Sequence, residues 1–338
     1  MTVGSTELSS DSLPPRGSAA VPGTRCPENP LARPGSTLRV SNNLATTMDL
    51  LNAQRADKLC PALDTALTVI RPPSRRPSLP FRELRDRREL LALLIWRDVA
   101  VRYKQAALGV AWAVLQPLAT LAIFTVVFGR LASMPSDGLP YSVFALCGLV
   151  VWTFFAAALT AAAGSLVGSA GLITKVWFPR LLVPAAAVGA AVPDLICSAA
   201  LLAVWLVWNG AGPWGRPAGL LILPLLAVLT GALAFGAGAG LAALNVRYRD
   251  VRHALPFLVQ IWMFATPIVW PLSIATPALR RLMLLNPMTG IVEGARAALT
   301  GRRLPWDAVG AACLGTLALS AIGFVYFQSV ERTLADEI

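Results

Sequence analysis

Charge is scarce in this sequence. Asp, Glu, Lys and Arg make up 14% of its 338 residues, against roughly 25% in an ordinary soluble domain. The shortage is uneven. No charged side chain lies between Lys104 and Arg130, between Asp137 and Lys175, or between Arg216 and Arg247. The same holds from His253 to Arg280 and from Asp307 to Glu331. Each stretch exceeds the roughly 20 apolar residues of helix that a bilayer core about 30 Å thick requires. Backbone in hydrocarbon must satisfy its own hydrogen bonds, which a helix does within one segment. The pattern predicts an all-α polytopic membrane protein.

Other absences narrow the chemistry. There is one histidine, His253, set among arginines at the edge of an apolar stretch, where a structural role is the simpler reading. The chain has no HExxH, no GxSxG and no GxxxxGK[ST] phosphate loop, so nothing in it is expected to cradle ATP, hold a cofactor or bind a metal. A membrane glycosyltransferase or acyltransferase would need inward-facing acids or histidines near a span end, and no such cluster stands out. Cys26, Cys60, Cys147, Cys197 and Cys313 have no CxxC spacing. Three of them fall in apolar spans and read as small buried apolar residues rather than disulfide or zinc partners. The net charge of +11 flanks apolar spans instead of forming one basic face, so cytoplasmic flanks near anionic lipid are expected, not nucleic acid.

Along the chain, residues 1–80 read as a disordered cytoplasmic tail. They hold 11 of the 26 prolines and no apolar run long enough for a signal peptide. A weak helical pattern runs from Met48 to Ile70, and a start at Met48 instead of Met1 is open. Residues 81–104 carry seven basic and four acidic side chains, with Leu84, Leu91, Ile95 and Val99 at helical spacing. That predicts an amphipathic interfacial helix along the cytoplasmic surface, with Arg97, Asp98 and Arg102 among its charged residues. Residues 105–338 are expected to form the permeating domain, with six spans near 108–131, 141–164, 181–208, 218–244, 254–272 and 307–329.

Orientation follows from the basic residues. Segment 81–104, Lys175 and Arg180, and Arg247, Arg249 and Arg252 place twelve on one side, against Arg130 and Arg216 on the other. Both termini are therefore expected in the cytoplasm. Residues 273–306 dissent, holding Arg280, Arg281, Arg296, Arg302 and Arg303 on the expected outer side. They read as two short amphipathic helices broken at Asn286-Pro287, re-entrant or interfacial on the outer face before the last span.

Three positions carry functional expectations. Asp194 is an acid well inside an apolar span, which is costly and signals either a role in transport or a structural pairing with a basic residue. Asp250 suits an N-cap for the fifth span. The loop SAGLITKVWFPR, with Lys175, Trp177, Phe178 and Arg180, exposes aromatics either to a partner or to the interface belt.

Several stretches together resemble the type-two ABC export permeases that move O-antigen, capsule, galactan and teichoic-acid polymers. These are WRDVAVRYKQAALGVAWAVLQPL (96–118), KVWFPRLLVP (175–184), RYRD (247–250), ATPIVWP (265–271) and LNPMTGIVEGAR (285–296), in that order. The resemblance covers about 81–338. It implies a homodimer of six-span subunits in the cytoplasmic membrane, each docked to a separate nucleotide-binding ATPase that holds ATP and Mg. It implies a coupling helix before span three, re-entrant helices before span six, and acids at Asp194 and Glu293. The substrate it implies is a lipid-linked glycan, passing between spans one and five. Trp112, Trp152, Phe154, Phe155, Trp262 and Phe264 are the rings available to line the path. A related permease exporting a hydrophobic drug or lipid is the alternative.

Overall fold

The computed structural model describes residues 87–104, 109–176, 178–212, 217–248 and 250–331. The tail 1–80, Trp177 and Arg249 lie outside the described residues. Among those described, the secondary structure is helical throughout.

Helix α1 (Arg88–Lys104) has Glu89 in its first turn and Arg102 and Lys104 in its last, each favourable to the helix dipole. It buries Leu94, half-buries Leu90, Leu91 and Ile95, and leaves Leu93, Trp96 and Val101 exposed. An apolar underside with an apolar fringe suits an element lying on a bilayer surface. Helix α2 (Gly109–Phe124) tolerates Pro117 and continues without a break into a π-helical segment, Thr125–Leu131. Its bounds match the first expected span to within a residue.

Helix α3 (Tyr141–Gly168) is the central post, buried along most of its length. Helices α4 (Leu182–Gly189) and α5 (Val192–Trp208) form one apolar rod interrupted at Ala190–Ala191, with Pro193 in the first turn of α5. Helix α6 (Ile222–Arg247) follows a short 3-10 turn, Pro217–Leu221. It meets α10 (Trp306–Val330) through small residues: a Cβ at Gly240 would lie 2.9 Å from the Cα of Gly323. Apolar side chains gain nothing by leaving lipid, so close backbone approach through such residues holds membrane helices together.

Among the described residues, four rods are long and apolar enough to cross a membrane: Tyr141–Gly168, Leu182–Trp208, Gly219–Arg247 and Trp306–Val330. The fifth expected span differs. Helix α7 (Val251–Phe264) stops after 14 residues, about 21 Å at 1.5 Å per residue, well short of the expected end at 272. Pro267 and Pro271 have no N–H to continue the ladder, and the chain runs through turns to a short 3-10 segment, Leu272–Ile274. Two short helices then follow, α8 (Pro277–Leu284) and α9 (Pro287–Leu299). Each begins with proline behind a capping side chain, Thr276 and Asn286, the arrangement that suits a helix start. Asp250 stands at the N-cap of α7, but its carboxylate caps nothing, because its own backbone is already helical. The expected capping role is therefore corrected.

Candidate functional site

Loop 169–181 leads from α3 to α4 through a single turn, Ala170–Ile173. Lys175 and Val176 face outward. Phe178 does not: it is 8% exposed and sits in a cluster with Leu94, Leu166, Leu182, Phe327 and Val330. Arg180 donates to the backbone oxygen of Glu331, tying the loop to the end of α10. Of the side chains expected to reach a partner, Lys175 is presented outward, while Phe178 and Arg180 hold the loop in place.

The same cluster seats α1 on α4. Ile95 lies so close to Gly189 that a Cβ there would be 2.6 Å from Ile95 Cδ1. A second fastening is polar. Asp194, in the first turn of α5, accepts from Arg102 Nη1 at 2.5 Å and from the Tyr103 hydroxyl. Burial, reinforced by Asp194, pushes the Tyr103 phenol up from its ordinary 10.0 to about 12, so it stays a donor at physiological pH. Asp194 is thus paired with the interfacial helix rather than alone in a span. Arg97 and Asp98 pair with each other at 2.8 Å on the exposed side of α1, a contact worth little in water.

The expected path rings fall into two groups. Trp152, Phe154 and Phe155 are buried in the main core. Trp152 packs on Phe155 with centroids 5.4 Å apart, and Phe155 meets Trp262 edge to face at 5.0 Å. Trp262 donates from Nε1 to Asn286 Oδ1 at 2.9 Å. Phe264 is exposed. Trp112 lies on α2, and its side chain is outside the described set. A path along Trp152, Phe154 and Phe155 would require the core to open.

Arg296 of α9 and its N-cap residue Asn286 meet the broken end of α7. Asn286 Nδ2 donates to Thr266 Oγ1 at 2.9 Å and to the Ala265 carbonyl at 3.3 Å, while Asn286 Oδ1 also caps Met288 N at 3.1 Å. Arg296, 2% exposed, donates to Glu293 Oε1 at 2.5 Å and to the carbonyls of Pro267 and Ile268 at 3.1 and 3.4 Å. Its guanidinium stacks on the Phe144 ring, 3.6 Å from the centroid. Burial pushes Glu293 up and Arg296 down from their ordinary values, although each favours the charge of the other. Nearby, Asp137 accepts from Ser273 Oγ at 2.6 Å and pairs with Arg302 at 3.6 Å, and Arg280 pairs with Asp307 at 3.2 Å. Three of the five arginines that strain the charge rule are therefore matched by acids at the same end. Glu293 was singled out through the family resemblance. Asn286, Arg296, Asp137 and Tyr103 were not singled out, although an acid and Arg296 three residues apart in GIVEGARAAL is the signal that finds that pair.

An apolar cavity of about 520 Å³ opens among α3, α5, α6 and α9, with Val150, Phe154, Leu202, Leu206, Leu226 and Leu299 on its walls. Its one hydroxyl, Thr230, is already bonded to the Leu226 carbonyl at 2.7 Å. Among the described residues no three His, Cys, Asp or Glu come together as a metal site would require.

Residues 89–300 match the profile described as ABC-2 type transporter. The chain belongs to the ABC-2 type transporter family. It is a multi-pass membrane transport subunit. The O-antigen export system permease protein RfbA of Myxococcus xanthus is 30% identical over 226 residues, 66% of this chain and 85% of that protein. An RfbA of Klebsiella pneumoniae is 24% identical, with 73% and 94% of the two chains aligned. The polysialic acid transport protein KpsM of Escherichia coli is also 24% identical, with 71% and 93% aligned.

Proposed function

We propose that this permease is the membrane half of an ATP-driven ABC exporter that carries a lipid-linked polysaccharide or related envelope glycan across the cytoplasmic membrane. The observation that carries the reading is the alignment with O-antigen and polysialic acid transport proteins, which takes in 66–73% of this chain and 85–94% of theirs. ATP hydrolysis falls to a separate nucleotide-binding subunit, and two copies of this chain form the pathway. The six spans are α2, α3, the α4–α5 rod, segment 219–247, α7 with its capped end, and α10, with both termini cytoplasmic. The outward-facing Lys175 and Val176 support a contact with the ATPase. Movement of that loop reaches α1 through the α4–α5 rod, by way of the Ile95 packing and the Asp194 clamp, and α1 precedes span one in the sequence.

The test is depletion of the permease in its host, followed by analysis of envelope glycans. Lipid-linked polymer should accumulate on the cytoplasmic side. The apolar cavity favours one second reading, capture of a hydrophobic drug or lipid, since a pocket of 300–1,000 Å³ with apolar walls is typical of small-molecule sites. Unchanged glycans with new sensitivity to a hydrophobic drug would decide for that reading.

A further inference from the structure

Helix α7 is held along one face, towards its end. Leu255 is the one residue it buries fully and Val259, Trp262 and Met263 pack in part against the core, whereas Phe257 is 67% exposed and Leu258, Ile261 and Phe264 are exposed too. Its position must therefore be set largely towards that end. At the far end the helix stops, and the carbonyls of Pro267 and Ile268 are released from any ladder. An unsatisfied carbonyl costs several kcal/mol in hydrocarbon. Arg296 supplies donors to both, pairs with Glu293, and rests on Phe144 of α3. Gly148 of α3 leaves room for it, since a Cβ there would be 3.2 Å from Nη2 and from Ile268 Cγ2. Filling that space does not call for a charge. Apolar side chains of similar volume are commonly neutral or stabilising replacements for a buried ion pair. What they lack is the guanidinium fork whose Nη2 donates to both carbonyls while Nη1 holds Glu293.

We propose that Arg296 is a positioning residue for export. By holding the Pro267 and Ile268 carbonyls against α3, it fixes the direction in which α7 leaves its broken end, so that α7 and α9 move as one piece. The assignment rests on the reading of α7 as a wall of the export path.

The experiment uses the permease assembled with its ATPase in lipid vesicles. Three variants are compared with wild type: Arg296→Met with Glu293→Met, Arg296→Lys, and Gly148→Ala. The paired Met variant leaves two carbonyls without a donor and should melt below wild type, and the folded permease should export at least tenfold less glycan per ATP hydrolysed. Arg296→Lys, which keeps the charge but not the fork, should fall between. Gly148→Ala, which crowds the guanidinium while leaving it present, should also lower the ratio. Spin labels on Phe257 of α7 and Val167 of α3 read the assignment without any substrate: one narrow distance in wild type, a broadened one in the paired variant. Wild-type export efficiency or an unchanged distance distribution in the paired variant would overturn the proposal. If that variant does not accumulate, wild-type coupling in Gly148→Ala overturns it. Wild-type vesicles that hydrolyse ATP but move no glycan would count against the functional reading, leaving the distance measurement to judge Arg296.

Discussion

Asp194 shows how much a single contact alters the meaning of a residue. In the sequence it is an acid inside an apolar span; in the fold it is the acceptor that fastens α1 to α5 through Arg102 and Tyr103. Hydrogen bonds to a charged acceptor contribute about 1.5–3 kcal/mol when sheltered, and this one is about one-third exposed, which screens it. Asp194→Ala should therefore lower stability by about 1–2 kcal/mol and reduce export more than protein level, measured by thermal unfolding and by surface glycan. Export at the wild-type level would reduce Asp194 to an idle pairing. Tyr103→Phe tests the other half. The folded protein holds the phenol proton more tightly than the unfolded chain, so the contribution of Tyr103 is complete below pH 10 and fades as the pH rises towards about 12. The melting difference between Tyr103→Phe and wild type should be flat from neutral pH to 10; a difference that varies there would mean the phenol is not the partner.

Among the elements, loop 169–181 is part anchor and part contact surface. Phe178 and Arg180 bind it to α1 and α10, which leaves Lys175 and Val176 to meet a partner. A cysteine at Lys175 should cross-link to the ATPase, whereas one at Phe178 should not. Efficient cross-linking from 178 with none from 175 would show that the loop turns over in the complex. Phe178→Ala should destabilise the subunit by about 3 kcal/mol, the scale for emptying a buried phenylalanine site. The α6–α10 seam makes a separate demand. Gly323→Val forces side-chain atoms into the α6 backbone at Gly236 and Ala237, and overpacking of that kind costs about 1–3 kcal/mol. Gly310→Ala, on the same helix with nothing within 4 Å, should be neutral or gain up to about 1 kcal/mol of helix propensity. Equal melting temperatures for the two variants would contradict the close seam.

For the whole molecule, sidedness is the property to test. In a cysteine-free background, cysteines placed beside Asp137 and Asn209 should label from outside intact cells, and one at Lys175 should not. Equal labelling at all three positions would refute the arrangement. The ion pairs of Asp137 with Arg302, Arg280 with Asp307 and Glu293 with Arg296 give three arginines of segment 273–306 acid partners within the fold. The positive-inside bias counts basic residues whatever acids lie beside them, so these arginines still weigh against that orientation and the labelling decides it.

The long uncharged stretches were enough to give α2, α3, the 219–247 segment and α10, because each is a local matter of hydropathy and length, and the α4–α5 rod was legible despite Asp194 within it. Basic flanks likewise located the loops and the pair Asn286-Pro287 marked a break, whereas the prolines of ATPIVWP were read through and the fifth span expected too long. Nothing local states what a broken helix leans on. The seating of Phe178, the clamp at Asp194 and the grip of Arg296 on two carbonyls join residues from 28 to 151 positions apart. Hydropathy treats Phe154 and Phe155 like any other aromatic residues of a span, and only packing decides that they face the core. Composition alone thus determined that the chain is helical and enters the membrane. Which polar groups are left over when those helices stop, and which side chains reach them, was decided by the tertiary fold, because in hydrocarbon an unpaired carbonyl or charge must find its partner within the protein.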